Sequence, residues 1–200
     1  MKIYTFGDSH SSSGFNKIHL DNVEIFINWM GPHLLHSVGR DGLSLLNIKQ
    51  HGLSAGDTVI FCFGEIDCRC HIDKYKSNYK ETIDTMVQKY INTIDLNANL
   101  IPGLKICVYN VVPPVRKSSH IENNSFPFLG TDEERKTYTK YMNSKLEECC
   151  NAKNYTFFNV YDKYTDTDGY LNPSLSDGNV HISNPVYMIE FIKDRLRSYP

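Results

Sequence analysis

Five short apolar runs, separated by segments with helical periodicity, constrain the fold more than any other feature of this sequence. The runs occupy residues 3–6, 23–27, 58–63, 104–109 and 155–160. The first, third and fourth are almost continuously apolar, which is typical of strands buried on both faces of a parallel sheet. Alternation of such strands with helices predicts a three-layer α/β/α sandwich with right-handed connections around a five-stranded parallel sheet.

The segments between the runs carry helix signals. Apolar side chains recur at three- and four-residue steps between residues 75 and 94, which predicts one long amphipathic helix. The sequence Thr131-Asp132-Glu133-Glu134 has the form of a capping box and predicts a helix start. Asn184-Pro185 indicates the start of a terminal helix. A shorter helix is predicted over residues 43–50.

Length and charge limit the possible functions. At 200 residues the chain has room for one ordinary domain, predicted to span residues 1–200. Its net charge of −2 argues against broad nucleic-acid binding, and no apolar stretch is long enough to span a bilayer. The six cysteines show no regular disulfide spacing, and the N-terminus has no apolar leader. We therefore expect a cytoplasmic protein without a membrane partner.

The loop after the first run contains a candidate nucleophile. In Phe6-Gly7-Asp8-Ser9-His10 the glycine permits a sharp turn that exposes Ser9 at a strand tip. Ser9 can act there as a nucleophile, with its own N–H directed at an oxyanion. The alternative is a serine-rich turn that caps a helix. His10 is predicted to line the pocket, or else to be a solvated loop histidine.

The loop before the terminal helix offers a matching base. Within Ser176-Asp177-Gly178-Asn179-Val180-His181, His181 is the candidate general base and Asp177 the carboxylate that orients its ring. The alternative is an Asx-turn with an incidental histidine. Both loops are expected at the carboxyl edge of the sheet, where chemistry gathers in folds of this kind.

These motifs, in this order, resemble the SGNH/GDSL hydrolase superfamily. The resemblance rests on Phe-Gly-Asp-Ser at 6–9, a glycine-bearing loop near 39–42, Gly-x-x-Asp at 64–67 and the Asp…His pair. It implies a flavodoxin-like sandwich and a metal-independent serine esterase mechanism in which Ser9, His181 and Asp177 form the triad. It also implies a second-block glycine that donates to the oxyanion. Gly42 is the better match for that glycine, and Gly39 is second.

The chain departs from the family pattern at two positions. The family's third block is Gly-x-Asn-Asp, but Ile66 stands where the asparagine donor belongs. Arg69 is the candidate replacement, either at the oxyanion or on a substrate carboxylate, and its alternative role is a salt bridge to Glu65 or Asp67. His10, Gly39, Glu65 and Arg69 are the predicted substrate contacts. The second departure is that Asp177 and His181 are separated by three residues instead of the usual two.

The function predicted from the sequence is a serine esterase that removes acyl groups, with acetyl the expected one, from a carbohydrate or similar small ester. One alternative is an O-acetyltransferase that uses the same acyl-enzyme. The other is a non-catalytic glycan- or partner-binding module with a degenerate oxyanion hole. No cofactor or metal is predicted, because Cys68-Arg69-Cys70-His71 lacks a second element of zinc-ligand spacing.

Overall fold

A five-stranded parallel sheet forms the centre of the molecule. The computed structural model describes residues 1–119 and 124–196. The strands are β1 (Lys2–Gly7), β2 (Glu24–Trp29), β3 (Thr58–Cys62), β4 (Lys105–Tyr109) and β5 (Thr156–Phe158). Their order is β2-β1-β3-β4-β5 and every adjacent pair is parallel. Each predicted apolar run matches one strand to within two residues at either end, so the predicted sheet is confirmed.

Helices cover both faces of this sheet. They are α1 (Leu35–Asp41), α2 (Glu65–Cys70), α3 (Tyr79–Leu100), α4 (Asp132–Lys153) and α5 (Val186–Phe191), the last continuing as a π-helical segment at Ile192–Leu196. The predicted capping box is present at the start of α4. Within residues 1–119 and 124–196, no helix combines the length and the apolar character that crossing a membrane requires.

Side chains that alternate along each strand divide the core into two clusters. Tyr4 and Phe6 of β1 pack with α1, α3 and α4 on one face of the sheet. Ile3 of β1 and Ile60 of β3 point to the other face and pack with α5 and its π-helical extension. Because β1, β3 and β4 are buried on both sides, they lack the polar alternation of a half-exposed sheet. The α/β/α sandwich is confirmed.

The prediction of a helix over residues 43–50 is wrong. The helix of this region is α1, and residues 42–50 form two short 3₁₀ turns, Gly42–Ser44 and Ile48–Gln50. Asn97 of α3 replaces the missing helical hydrogen bonds, because its side chain accepts from the Ile48 N–H and donates to the Leu46 carbonyl. A tertiary contact therefore satisfies backbone groups that a helix would have satisfied internally.

The strand order fixes where a site can form. The chain leaves β1 for β2 on one side, and the next strand, β3, lies on the other side of β1. Such a reversal opens a crevice at the carboxyl ends of the two central strands. The segments that follow β1 and β3, which begin at Asp8 and Phe63, meet at this crevice.

Candidate active site

The turn after β1 presents Ser9 at the crevice. Asp8 caps a 3₁₀ turn, Ser9–Ser11, by accepting the His10 N–H at 2.9 Å. The Ser11 hydroxyl donates to the Asp8 carbonyl at 2.8 Å, and Thr5 donates to the Ser11 carbonyl at 2.7 Å. These buried bonds hold the turn from both ends. Ser9 is the first residue of the turn, so its N–H lies outside the turn's own hydrogen bonds.

The loop before α5 brings an imidazole and a carboxylate to Ser9. His181 Nε2 lies 2.8 Å from Ser9 Oγ, and His181 Nδ1 lies 2.8 Å from Asp177 Oδ2. An ionised carboxylate only accepts hydrogen bonds, so Nδ1 carries the hydrogen and Nε2 is left to accept from the Ser9 hydroxyl. The structure thus joins hydroxyl, imidazole and carboxylate in one chain of hydrogen bonds.

The additional residue between Asp177 and His181 is absorbed by a tight loop. The Asp177 N–H donates to the His181 carbonyl at 3.1 Å, and the Asn179 N–H donates to Asp177 Oδ1 at 2.8 Å. One carboxylate oxygen therefore holds the loop, while the other holds the imidazole. The unusual spacing does not separate the two side chains.

The environment of the imidazole favours its neutral form. Burial and the nearby charge of His10 lower the pKa of His181, and they outweigh the opposing effect of Asp177. Burial raises the pKa of Asp177, but the hydrogen bonds from His181 and the Asn179 N–H bring it below its usual value. At neutral pH the pair is therefore a neutral base beside an ionised carboxylate, as proton abstraction requires.

Ser9 opens onto a small cavity of about 200 Å³. Its walls come from the loops after β1, β2 and β4, from α2, and from the loop before α5. The lining residues are Ser9, Pro32, Ile66, Arg69, Phe126, Asn179, Val180 and His181.

Several lining residues were not predicted from the sequence. Asn179 and Val180 directly precede His181, and this position next to the predicted base indicates that they line the same cavity. Pro32 follows β2 closely and lies at the same sheet edge as Ser9. Phe126 lies in a long connection between β4 and α4, and nothing in the local sequence indicates that it reaches this cavity.

Arg69 forms the salt bridge that was its alternative role. Its Nε donates to Glu65 Oε1 at 2.7 Å and its Nη2 donates to Glu65 Oε2 at 2.9 Å, while Nη1 donates to the Phe126 carbonyl at 2.7 Å. Both side chains are only 10% exposed. Arg69 still lines the cavity, but its charge is compensated by a buried carboxylate.

Two of the predicted substrate contacts are buried beneath the triad instead. His10 is 5% exposed and Glu65 is 8% exposed, and the structure places neither among the walls of the Ser9 cavity. His10 Nε2 lies 3.8 Å from Glu65 Oε2, and the His10 ring lies 5.0 Å from the His181 ring. The expectation that His10 and Glu65 contact substrate is therefore wrong, because both side chains face the protein interior.

These buried groups form a charged cluster under the imidazole of the triad. Burial opposes ionisation of Glu65, but His10 and Arg69 together lower its pKa to about 2. Burial also opposes a charge on His10, but Asp8 and Glu65 outweigh it and raise the pKa of His10. Burial raises the pKa of Asp8 to about 6, because it outweighs the nearby charge of His10 and the hydrogen bond from the His10 N–H. His10 thus brings positive charge close to His181.

Gly39 and Gly42 do not reach the Ser9 cavity, which corrects both predictions. Gly39 packs against α3, where an added Cβ would lie 2.9 Å from both Lys89 Cβ and the Tyr90 nitrogen. Gly42 ends α1, with a φ of 56°. Gly39 is therefore required for close helix packing and Gly42 for helix termination, which are structural uses of glycine.

Asp67 of the Gly-x-x-Asp motif connects two walls of the site. Its carboxylate accepts the Leu35 N–H at 2.6 Å and the His36 N–H at 3.0 Å, at the start of α1. Full burial raises the pKa of Asp67 to about 7, although these two bonds favour the ionised form. Asp67 thereby fixes α2, which carries Ile66, against the end of the loop that carries Pro32.

Comparison with known proteins relates the chain to others by fold. No family model and no curated protein sequence matches it. Est24, a carbohydrate acetylesterase from Sinorhizobium meliloti, has a similar structure, with a TM-score of 0.62 and 14% identity over 99% of both chains. A member of the lipolytic protein G-D-S-L family from Veillonella parvula has a TM-score of 0.59 and 12% identity, again over 99% of both chains.

The aryl esterase of M. smegmatis is similar as well, with a TM-score of 0.57 and 14% identity over 96% of this chain and 98% of the other. The chain therefore has the fold of the SGNH/GDSL hydrolases, as the sequence motifs predict. At these identities the comparison establishes the fold, and the function has to be argued from the site.

Proposed function

We propose that this protein is a serine hydrolase of the SGNH/GDSL type that cleaves small acyl esters, with acetyl as the preferred acyl group. The observation that carries the proposal is the chain of two 2.8 Å hydrogen bonds from Ser9 through His181 to Asp177. A hydroxyl, a neutral imidazole and a carboxylate in this order are the arrangement that activates a serine nucleophile.

The reaction follows from the positions of these atoms. Ser9 Oγ attacks the ester carbonyl while His181 Nε2 takes the hydroxyl proton. Asp177 stabilises the imidazolium that forms. His181 then donates this proton to the departing alcohol, which leaves the acyl group on Ser9. Water, activated by the same imidazole, releases the acid and restores the hydroxyl.

The oxyanion needs backbone donors, and we propose the N–H groups of Ser9 and Gly31. In the β1–β2 register Gly7 lies opposite Trp29, and the Met30 N–H still donates to the Gly7 carbonyl at 2.8 Å. Ser9 lies two residues after Gly7, and Gly31 lies two residues after Trp29. Gly31 has a φ of 96° and adjoins Pro32, a wall of the cavity. It fits the second-block role better than Gly42.

The third donor of the family pattern is missing at its expected position, residue 66. The side chain of Ile66 lines the cavity but has no polar atom, and Arg69 is paired with Glu65. Loss of one oxyanion donor lowers turnover by roughly 100- to 1000-fold. We therefore propose a slow esterase whose remaining donors are backbone N–H groups.

The size of the cavity supports a small acyl group. Its volume of about 200 Å³ is below the range of roughly 300–1,000 Å³ typical of pockets for drug-sized ligands. Ile66, Phe126 and Val180 supply apolar walls. This space suits an acetyl group better than a long acyl chain. The structurally similar Est24 is a carbohydrate acetylesterase, which is consistent with a sugar as the alcohol here.

Covalent labelling tests this proposal. A fluorophosphonate probe should label the wild-type protein and the Ser13→Ala control, and it should fail to label Ser9→Ala. Hydrolysis of p-nitrophenyl acetate should show the same dependence on Ser9. If Ser9 is labelled, but the acetyl group is transferred to an added sugar hydroxyl and no acetate is released, the protein is the acyltransferase instead. Equal labelling of Ser9→Ala, or no labelling of the wild type, would contradict a Ser9-based enzyme.

A further inference from the structure

A second cavity is larger than the Ser9 cavity. Its volume is about 350 Å³, compared with about 200 Å³ at Ser9. It lies between α1, the end of α2 and the first half of α3. Its lining residues are His36, His71, Tyr75, Asn78, Glu81, Thr82, Thr85, Met86 and Lys89. We call it the ring-lined cavity.

One side of the ring-lined cavity is a row of three aromatic rings. The rings of His36 and His71 lie 4.9 Å apart at an interplanar angle of 31°, and the rings of His71 and Tyr75 lie 5.4 Å apart. Tyr75 is 44% exposed, unlike most large apolar side chains of this protein. An exposed ring of this kind offers an apolar face to a ligand and a polar edge to water.

The facing side is polar and comes from one stripe of α3 and the residue before it. Asn78, Thr82, Thr85 and Lys89 recur at three- and four-residue steps, so they lie on one helix face. They provide amide and hydroxyl groups, which can donate hydrogen bonds or accept them, and an ammonium group, which donates them. Glu81 adds a carboxylate to the same wall.

The ring-lined cavity has no strong net charge at neutral pH. Burial and the neighbouring cations Arg40 and Lys89 lower the pKa of His36. Burial, His36 and Lys74 lower the pKa of His71. Both imidazoles are therefore neutral, and the carboxylate of Glu81 balances Lys89. A phosphate-rich ligand would find one ammonium and one carboxylate here, with no guanidinium among the lining residues.

Two segments of the protein contribute residues to both cavities. Helix α2 contributes Ile66 to the Ser9 cavity, and His71, one residue beyond the end of α2, belongs to the ring-lined cavity. Five residues of helix span about 7.5 Å. In the same way, Pro32, before α1, lines the Ser9 cavity, and His36, within α1, lines the ring-lined cavity four residues later. Each of these two segments therefore contributes to both cavities.

We propose that the ring-lined cavity binds uncharged sugar units next to the acylated unit, so that the substrate is an oligosaccharide ester. A sugar ring has an apolar C–H face that suits the row of rings and hydroxyl groups that suit the polar stripe of α3. This inference rests on the proposed function, because it takes Ser9 as the point of cleavage.

Chain-length kinetics test this inference. The wild type should cleave acetylated xylotriose, or another acetylated trisaccharide, with a lower KM than the acetylated monosaccharide. Tyr75→Ala should raise KM for the trisaccharide about 5- to 10-fold, which corresponds to the loss of one ring contact. The kcat value and the hydrolysis of p-nitrophenyl acetate should stay unchanged. Tyr75→Phe keeps the ring face and should behave as wild type.

Leu96→Ala is the matched control, because Leu96 is an exposed apolar side chain of the same helix α3 outside the ring-lined cavity. It should leave every rate unchanged. If trisaccharide and monosaccharide give equal KM values, or if Tyr75→Ala has no effect on KM, the inference is overturned.

Direct binding separates this inference from the proposed function. Isothermal titration of the Ser9→Ala protein with unacetylated xylotriose, cellotriose, mannotriose and tri-N-acetylchitotriose measures affinity without catalysis. Binding of at least one trisaccharide, weakened by Tyr75→Ala, supports the inference even if the wild type cleaves no ester. Binding of none of them overturns it, even if the wild type hydrolyses p-nitrophenyl acetate.

Discussion

The two walls of the Ser9 cavity differ in how much of the proposed machinery for ester cleavage they carry. One wall, built by the loops after β1 and before α5, joins Ser9, His181 and Asp177 through two bonds of 2.8 Å. The other wall, the first turns of α2, has Ile66 at the donor position and pairs Arg69 with Glu65. The difference indicates that the nucleophile and the third oxyanion donor of the family pattern belong to separate segments, so one can change while the other stays.

The largest expected effect on activity comes from a substitution in the wall that carries Ser9, His181 and Asp177. Asp177→Asn should lower kcat for p-nitrophenyl acetate by about 10⁴-fold, because an amide no longer holds His181 in the tautomer that accepts from Ser9. Asp162→Asn, at an exposed position, is the control and should leave kcat unchanged. A loss smaller than 10-fold would show that Ser9 and His181 work as a dyad.

The next effect tests the ion pair of the second wall. Arg69→Met should lower the free energy of unfolding by about 3–5 kcal/mol, because it leaves the Glu65 carboxylate buried without its cation. Urea denaturation at pH 7 measures this change. Arg40→Met breaks an exposed pair with Asp41 and should have little effect. An equally small change for Arg69→Met would mean that water or His10 already compensates Glu65.

A gain of activity is the sharpest test of the difference between the walls. Ile66→Asn should raise kcat by about 10- to 100-fold, because the amide supplies the missing oxyanion donor. Ile66→Leu, which adds no donor, should change kcat little. Steady-state rates of p-nitrophenyl acetate hydrolysis measure kcat for both variants. If the asparagine variant is slower than the leucine variant, the apolar group at residue 66 is needed for binding and the site does not lack a donor there.

The smallest effect concerns the cluster that links the two walls. His10→Gln removes a positive charge next to His181, so the pKa of His181 should rise. His181 is a base only when neutral, and the acid limb of kcat/KM should therefore move to higher pH. Activity at pH 6 should fall several-fold relative to the plateau.

The pH profile of kcat/KM measures that shift, with His19→Gln, at an exposed position, as the control. Asp8, Glu65 and Arg69 also face His10, so circular dichroism should first show that the variant is folded. An acid limb that stays in place in a folded variant would show that His10 carries no charge near His181.

Local sequence was sufficient for the features that depend on neighbouring residues. The strands follow from apolar runs, and the start of α4 follows from a Thr131–Glu134 capping box that forms within four residues. The last loop could be interpreted in the same way, since Asp177 and His181 lie on one short loop. The start of α2 also has local helix signals, with Glu65 and Asp67 in its first turn and Arg69 in its last.

Contacts between distant segments decided the rest. Nothing near Gly39 indicates that α3 packs against it, and nothing near His10 indicates that Glu65 lies 3.8 Å away. Ser9 and His181 are 172 residues apart in the chain, and only the parallel sheet brings their loops to one edge. The sequence by itself determined the strands and which residue types stood ready for chemistry. Tertiary packing decided which of them face the cavity, because burial and pairing depend on segments that fold together from far apart in the chain.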